Sequence, residues 1–118
     1  MEGRYIIEEY TTESGETPFL DWVNHLNDRT AQRKIAVRLR RASFGNFGDC
    51  KRLKGAKGLW EMREHYGGGY RLYYCIREHT MVLLLAGSTK KDQSKAITKA
   101  KDYLEDYERR ERHDEKSQ

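Results

Sequence analysis

The stretch from Leu59 to Ser88 sets the terms on which this chain can fold. Three runs rich in aromatic and aliphatic residues, Leu59 to His65, Tyr70 to Arg77 and Thr80 to Ser88, are separated only by a loop around Gly67-Gly68-Gly69 and by Glu78-His79. Connections that short make successive strands pair antiparallel. The third run is apolar on both alternations, with Val82, Leu84 and Ala86 on one and Met81, Leu83 and Leu85 on the other. A strand apolar on both faces belongs in the middle of a sheet, covered on both sides.

The flanking segments supply the covering. Residues 4–10 read as a strand and 12–17 as a polar loop. Thr17-Pro18 opens a helix, Thr as a cap and Pro at the first helical position, and Phe19, Val23 and Leu26 follow at helical spacing, widened by Leu20 and Trp22. Asn27-Asp28 breaks it and can cap a second helix striped by Ala31, Ile35, Leu39 and Ala42. Arg33, Lys34, Arg38, Arg40 and Arg41 fall mostly off that stripe, as a basic outer face. Residues 44–58 contain four glycines and read as a loop with a short strand near Leu53. A last helix carries Gln93, Ile97, Ala100, Leu104 and Tyr107 on one side. The expected fold class is α+β: a small antiparallel meander packed against two N-terminal helices and a C-terminal one. Residues 1–107 form the single domain, and the charged stretch 108–118, without an apolar residue, is a frayed helix end or a disordered tail.

Composition bears on whether such a domain can hold together. Leu, Ile, Val and Phe make up about 18% of the 118 residues, a level seen in disordered chains when net charge is high. Here the net charge is only +4, and eight Tyr and two Trp add burial, so a thin folded core is expected. The longest apolar run, Met81 to Ala86, is six residues, far short of the roughly 20 of a membrane helix. The N-terminus shows no apolar signal region, and Cys50 and Cys75 fit neither a disulfide framework nor a zinc site. A cytoplasmic protein with reduced thiols, no membrane partner and Cys75 in the core is expected.

Charge is unevenly distributed: residues 1–27 carry net −5, 28–63 net +8 and 64–118 net +1. A local excess of that size attracts polyanions, or is simply a solvated helix face. Strand alternation adds a focus. Pairing at equal parity puts Arg63, His65, Arg71 and Tyr73 on one sheet face, with Glu61 alternating into it and Lys90 and Lys91 just beyond the third strand. Two arginines, lysines, a Tyr, a His and a Glu suit a phosphodiester: the guanidinium fork matches phosphate oxygens, lysine adds a point charge, and an aromatic ring can stack an unpaired base. RNA brings its own nucleophile, the 2′-hydroxyl, so cleavage needs only alignment, a proton acceptor, a proton donor and positive charge. No carboxylate pair spaced for a metal nuclease and no P-loop is present, and no cofactor is called for. The plainer alternative has Arg63 and Arg71 pairing with Glu61 or Glu64 across the hairpin.

Residues 59–88, LWEMREHYGGGYRLYYCIREHTMVLLLAGS, resemble the meander of the RelE/ParE superfamily of type II toxins, and SGETPFLDWVNHL at 14–26 resembles its HigB-like, phage-related branch. The likeness spans about residues 4–107. It implies a toxin neutralised by a cognate antitoxin, often a helix-turn-helix protein, and in RelE-like members cleavage of mRNA on the ribosome. The phosphate-binding arginine of the family's G-Y-R strand falls on Arg71, a basic position of the preceding strand on Arg63, and the basic pair after the last strand on Lys90 and Lys91. RelE has a further lysine where this chain has Glu61. The Tyr or His that many nucleolytic relatives carry near the end of the fold has no counterpart in 92–97.

These readings combine into an expected ribosome-dependent mRNA endonuclease. Arg71 clamps the scissile phosphate with Arg63 assisting, Lys90 or Lys91 neutralises charge and protonates the leaving oxygen, His65 or Glu61 is the base, and Tyr73 stacks a base. Arg33, Arg38, Arg41, Lys51, Arg52, Lys54 and Lys57 form the ribosomal RNA dock. The alternatives are a ParE-like toxin that binds DNA gyrase without catalysis, or an inactive RNA-binding relative.

Overall fold

The computed structural model describes residues 4–117. The elements are β1 (Ile6–Glu9), α1 (Pro18–Asn24), α2 (Arg29–Ser43), β2 (Cys50–Arg52), β3 (Trp60–Glu64), β4 (Tyr70–Arg77), β5 (Met81–Thr89) and α3 (Gln93–Ser117). They build one five-stranded sheet in the order β1-β5-β4-β3-β2. The α+β class stands, but the sheet is mixed: β1 runs parallel to β5, while β2 to β5 are antiparallel neighbours. β1 covers the edge of β5 that β4 leaves open, where a buried strand would otherwise strand its N–H and C=O groups.

β5 is an interior strand, second from the edge between β1 and β4, with Val82 through Ala86 all buried. On one face Val82, Leu84, Leu72, Tyr74 and Met62 pack with Phe19 of α1 and Ile35 and Ala42 of α2. On the other, Leu83, Leu85, Tyr73, Cys75 and Leu59 pack with Ala96, Ala100 and Leu104 of α3. Asp28 caps α2, its carboxylate accepting from the Ala31 N–H at 3.1 Å. Thr17 makes no side-chain cap bond, so the start of α1 rests on Pro18 at its first turn. α3 continues as helix through the charged stretch after 107, tied there by ion pairs from Arg77 to Glu108 and Glu111. Arg77 is a tertiary partner that an all-polar stretch does not announce.

One irregularity directs the rest. Between Tyr73 and Tyr74 the ladder slips by one, Tyr73 facing Ala86 and Tyr74 facing Leu84, with Leu85 as the extra residue of a β-bulge. Strict alternation puts Ala86 with Val82 and Leu84. The bulge instead turns Leu85 and Ala86 both toward α3, and carries Ser88 round to face Arg71.

Candidate functional site

The site is built on the α3-side face of the sheet, at the end beyond the apolar residues. Register sets its columns: Lys51 opposite Glu61, Glu61 opposite Tyr73, Arg63 opposite Arg71, and Arg71 opposite Ser88. The ladder runs one step further, the Lys90 N–H donating to the Gly69 carbonyl at 3.2 Å. A Cβ at Gly69 would lie 3.6 Å from the Lys90 Cβ, an ordinary contact distance, so Lys90 stands over the same face.

At the centre Arg71 is 11% exposed and Glu61 only 3%. Arg71 Nε lies 3.5 Å from Glu61 Oε1 as an ion pair, without the alignment of a hydrogen bond, and no other acceptor among the described residues takes that N–H. The second Glu61 oxygen is 3.8 Å from Lys51 Nζ. Around them Arg63 pairs with Asp49 at 2.7 Å, and the exposed His65 ring brings Nε2 to 2.5 Å from the other Asp49 oxygen. The His65 and Arg63 hydrogen bonds hold the Asp49 carboxyl below the usual carboxylate range. Lys90 and Lys91 are exposed, and no carboxylate among the described residues pairs with them. Four cations therefore face two carboxylates here, with His65 beside them and Lys91 in the turn that follows.

Several expected roles change. Tyr73 is fully buried, its hydroxyl 3.1 Å from Ser88 Oγ, and burial pushes its phenol pKa up. Its ring offers no face for stacking a base; it is a wall of the site. Glu61 is enclosed by two cations rather than open to a substrate. Arg38 is turned inward: it donates to the carbonyls of Arg63, Phe47 and Asp49 and lies 3.8 Å from Glu64, so it clamps α2 to β3 instead of joining a basic outer face.

The expected RNA dock is not one surface. Arg33 and Arg41 are exposed beside a hollow of about 280 Å³ on α2, and α2 covers the face opposite α3. Arg52 lies over the Trp60 ring, 5.2 Å from its centre, pointing away from its neighbour Lys51. Lys54 and Lys57 are exposed in the loop that tucks Ala56 and Leu59 under α3. Of that set only Lys51 joins the central cluster. Asp49, which ties Arg63 to His65, escapes sequence reading because nothing in FGDC marks the register that sets it opposite Arg63.

A larger cleft of about 800 Å³ runs between α1, β5 and α3 and shares Ser88 and Thr89 with the site. Its lining mixes Glu16, Asp21 and Asp92 with Lys95, Lys99 and His25, so it lacks the cationic excess next door. No group of three His, Cys, Asp or Glu side chains among the described residues is placed to hold a metal ion, and no helix among them is long and apolar enough to cross a membrane.

Residues 21–109 match the model of a family described as phage-derived Gp49-like protein. A Haemophilus influenzae protein, itself described only as uncharacterized, is 40% identical over 83 residues, covering 70% of this chain and 82% of that one. The match takes in α2, every strand from β2 to β5 and most of α3, the elements that carry the cationic cluster. The chain belongs to the Gp49-like phage-derived family, within the RelE/ParE-like toxin superfamily.

Proposed function

We propose that this chain is the toxin of a toxin–antitoxin pair, of the HigB-like kind, and that it cleaves mRNA on the ribosome through the 2′-hydroxyl without a metal. The observation that supports this is the gathering of Lys51, Arg63 and Arg71 from β2, β3 and β4, and Lys90 from just past the end of β5, over one end of one sheet face. Two carboxylates only partly offset that charge, and a ribonucleotide backbone bent over it meets donors from several sides. Arg71 is the anchor for the scissile phosphate, Arg63 assists, and Lys90 or Lys91 neutralises the leaving oxygen and protonates it. His65 rather than the enclosed Glu61 is the base. The partners are mRNA, the ribosome and a cognate antitoxin, and the setting is the cytoplasm.

Inducing the chain in cells and mapping mRNA ends by primer extension tests the reading, with Arg71→Lys beside the wild type. Growth arrest with new mRNA ends that the variant loses is expected. Growth arrest with intact mRNA and a DNA-damage response would instead point to gyrase binding, with Arg71 serving only to neutralise the buried Glu61. Survival of induced cells would point to an inactive RNA-binding relative.

A further inference from the structure

Asp49 holds two side chains of the site with its two carboxylate oxygens. Oδ1 accepts from Arg63 Nε at 3.2 Å and Nη2 at 2.7 Å, and Oδ2 lies 2.5 Å from His65 Nε2. The backbone fixes this residue as well: its carbonyl accepts the Arg63 N–H at 2.8 Å and Arg38 Nη2 at 3.2 Å. An ionised carboxylate can only accept, so the imidazole nitrogen facing it carries the hydrogen. In neutral His65 the lone pair is then on Nδ1, on a side chain 72% exposed and one ladder step from Arg63. The charged groups around the pair are Arg63 on β3, with Glu61 on the same strand, and Arg38 from α2, itself matched by Glu64.

Resting on the nuclease reading above, we infer that Asp49 is a positioning residue that fixes the tautomer and direction of His65, so that Nδ1 removes the proton of the ribose 2′-hydroxyl. The O2′–H bond breaks and its proton passes to Nδ1. The freed electron pair forms the O2′–P bond. The P–O5′ bond breaks, and O5′ takes a proton from the Lys90 ammonium. A 2′,3′-cyclic phosphate and a 5′-hydroxyl result, with no other reactant consumed. The arrangement parallels the way a buried carboxylate orients the histidine of a hydrolase triad.

The test is single-turnover cleavage of mRNA on ribosomes across a pH series, with wild type, Asp49→Asn, His65→Gln, the double variant and Arg63→Gln. His65→Gln should lose about 10²-fold in rate, the share of a general base, and abolish one limb of the pH profile. Asp49→Asn should slow cleavage and displace that same limb, and the double variant should be no slower than His65→Gln alone, since both act through one imidazole. Arg63→Gln, which removes the other Asp49 partner, should lower the rate and leave the limb in place. An Asp49→Asn profile superimposable on the wild type, or losses that multiply in the double variant, overturns the inference while leaving the nuclease reading intact. Absence of cleavage by the wild type overturns both. Thermal unfolding of each variant keeps a loss of fold from passing for a loss of rate.

Discussion

Arg71 meets two demands at once: it neutralises a buried carboxylate and supplies a fork of donors beside an open surface. The two separate by substitution. Arg71→Lys keeps a charge for Glu61 but loses the planar fork, so stability should hold within about 1 kcal/mol while cleavage falls about 10²–10³-fold. Arg71→Ala also leaves Glu61 with Lys51 alone, at 3.8 Å, and should cost on the order of 3 kcal/mol in urea unfolding. A variant Arg71→Lys that cleaves like wild type would mean the fork is not what the reaction uses. Asp49 brings a pH dependence. Its pKa is depressed by His65 and Arg63, so the stability from its ionised form is present above the ordinary carboxylate range and lost as pH falls through the lowered value. Asp49→Asn should therefore flatten the acid side of the stability profile, below about pH 4, as read by unfolding at several pH values. Cys75 takes no part in such chemistry: burial pushes its thiol up to about 12.

At the scale of elements, β5 organises the molecule through two local features. One is Gly87, which lies directly beneath Trp22 of α1; a Cβ there would come within 2.1 Å of the indole ring. Gly87→Ala must push α1 off the sheet and should cost about 1–3 kcal/mol, visible as a lowered melting temperature. The other is the three-residue connection before it, Glu78-His79-Thr80 between the paired Arg77 and Met81, where Glu78 and His79 hold φ of 52° and 63°. Both positions are thus left-handed, in a turn closed by the Thr80 N–H donating to the Arg77 carbonyl at 3.1 Å, and in residues that pay for it in backbone strain. Replacing the pair with Asn-Gly should stabilise the fold by about 0.5–2 kcal/mol, and since the turn is at the opposite end of β4 from Arg71, cleavage should be unchanged.

For the molecule as a whole, α3 is the element whose length matters most. Its charged end is held by Arg77, which pairs with Glu108 and Glu111 and lays its guanidinium over Tyr107, 5.5 Å from the ring centre. Truncation after residue 107 removes both carboxylates from a half-buried cation whose Nε has no hydrogen-bond partner among the described residues. It should lower stability by about 1–3 kcal/mol, and a chain as stable without residues 108–118 would show that Arg77 is satisfied by water alone. Under the proposed function, affinity for the ribosome should fall as salt rises, because the cationic surfaces on both sides of the sheet would meet phosphates, and binding that is unchanged between low and moderate salt would count against an RNA dock.

The sequence by itself determined the strands from Leu59 to Ser88, the interior place of β5, the Asp28 cap and the covering of both faces by helices, because periodicity, turn residues and caps are local signals. It also placed Arg63, His65 and Arg71 on one face, since alternation within a hairpin is local too. Only the tertiary structure decided that Lys90 joins them. Counted by strict alternation from Val82 and Leu84, Lys90 falls on the α1 side, and the bulge at Leu85 carries it across. It likewise decided that Tyr73 is buried, that Arg38 turns inward and that Asp49 meets His65. Each depends on how far two segments slide past one another, and that is set by packing across the core rather than by the residues of either segment.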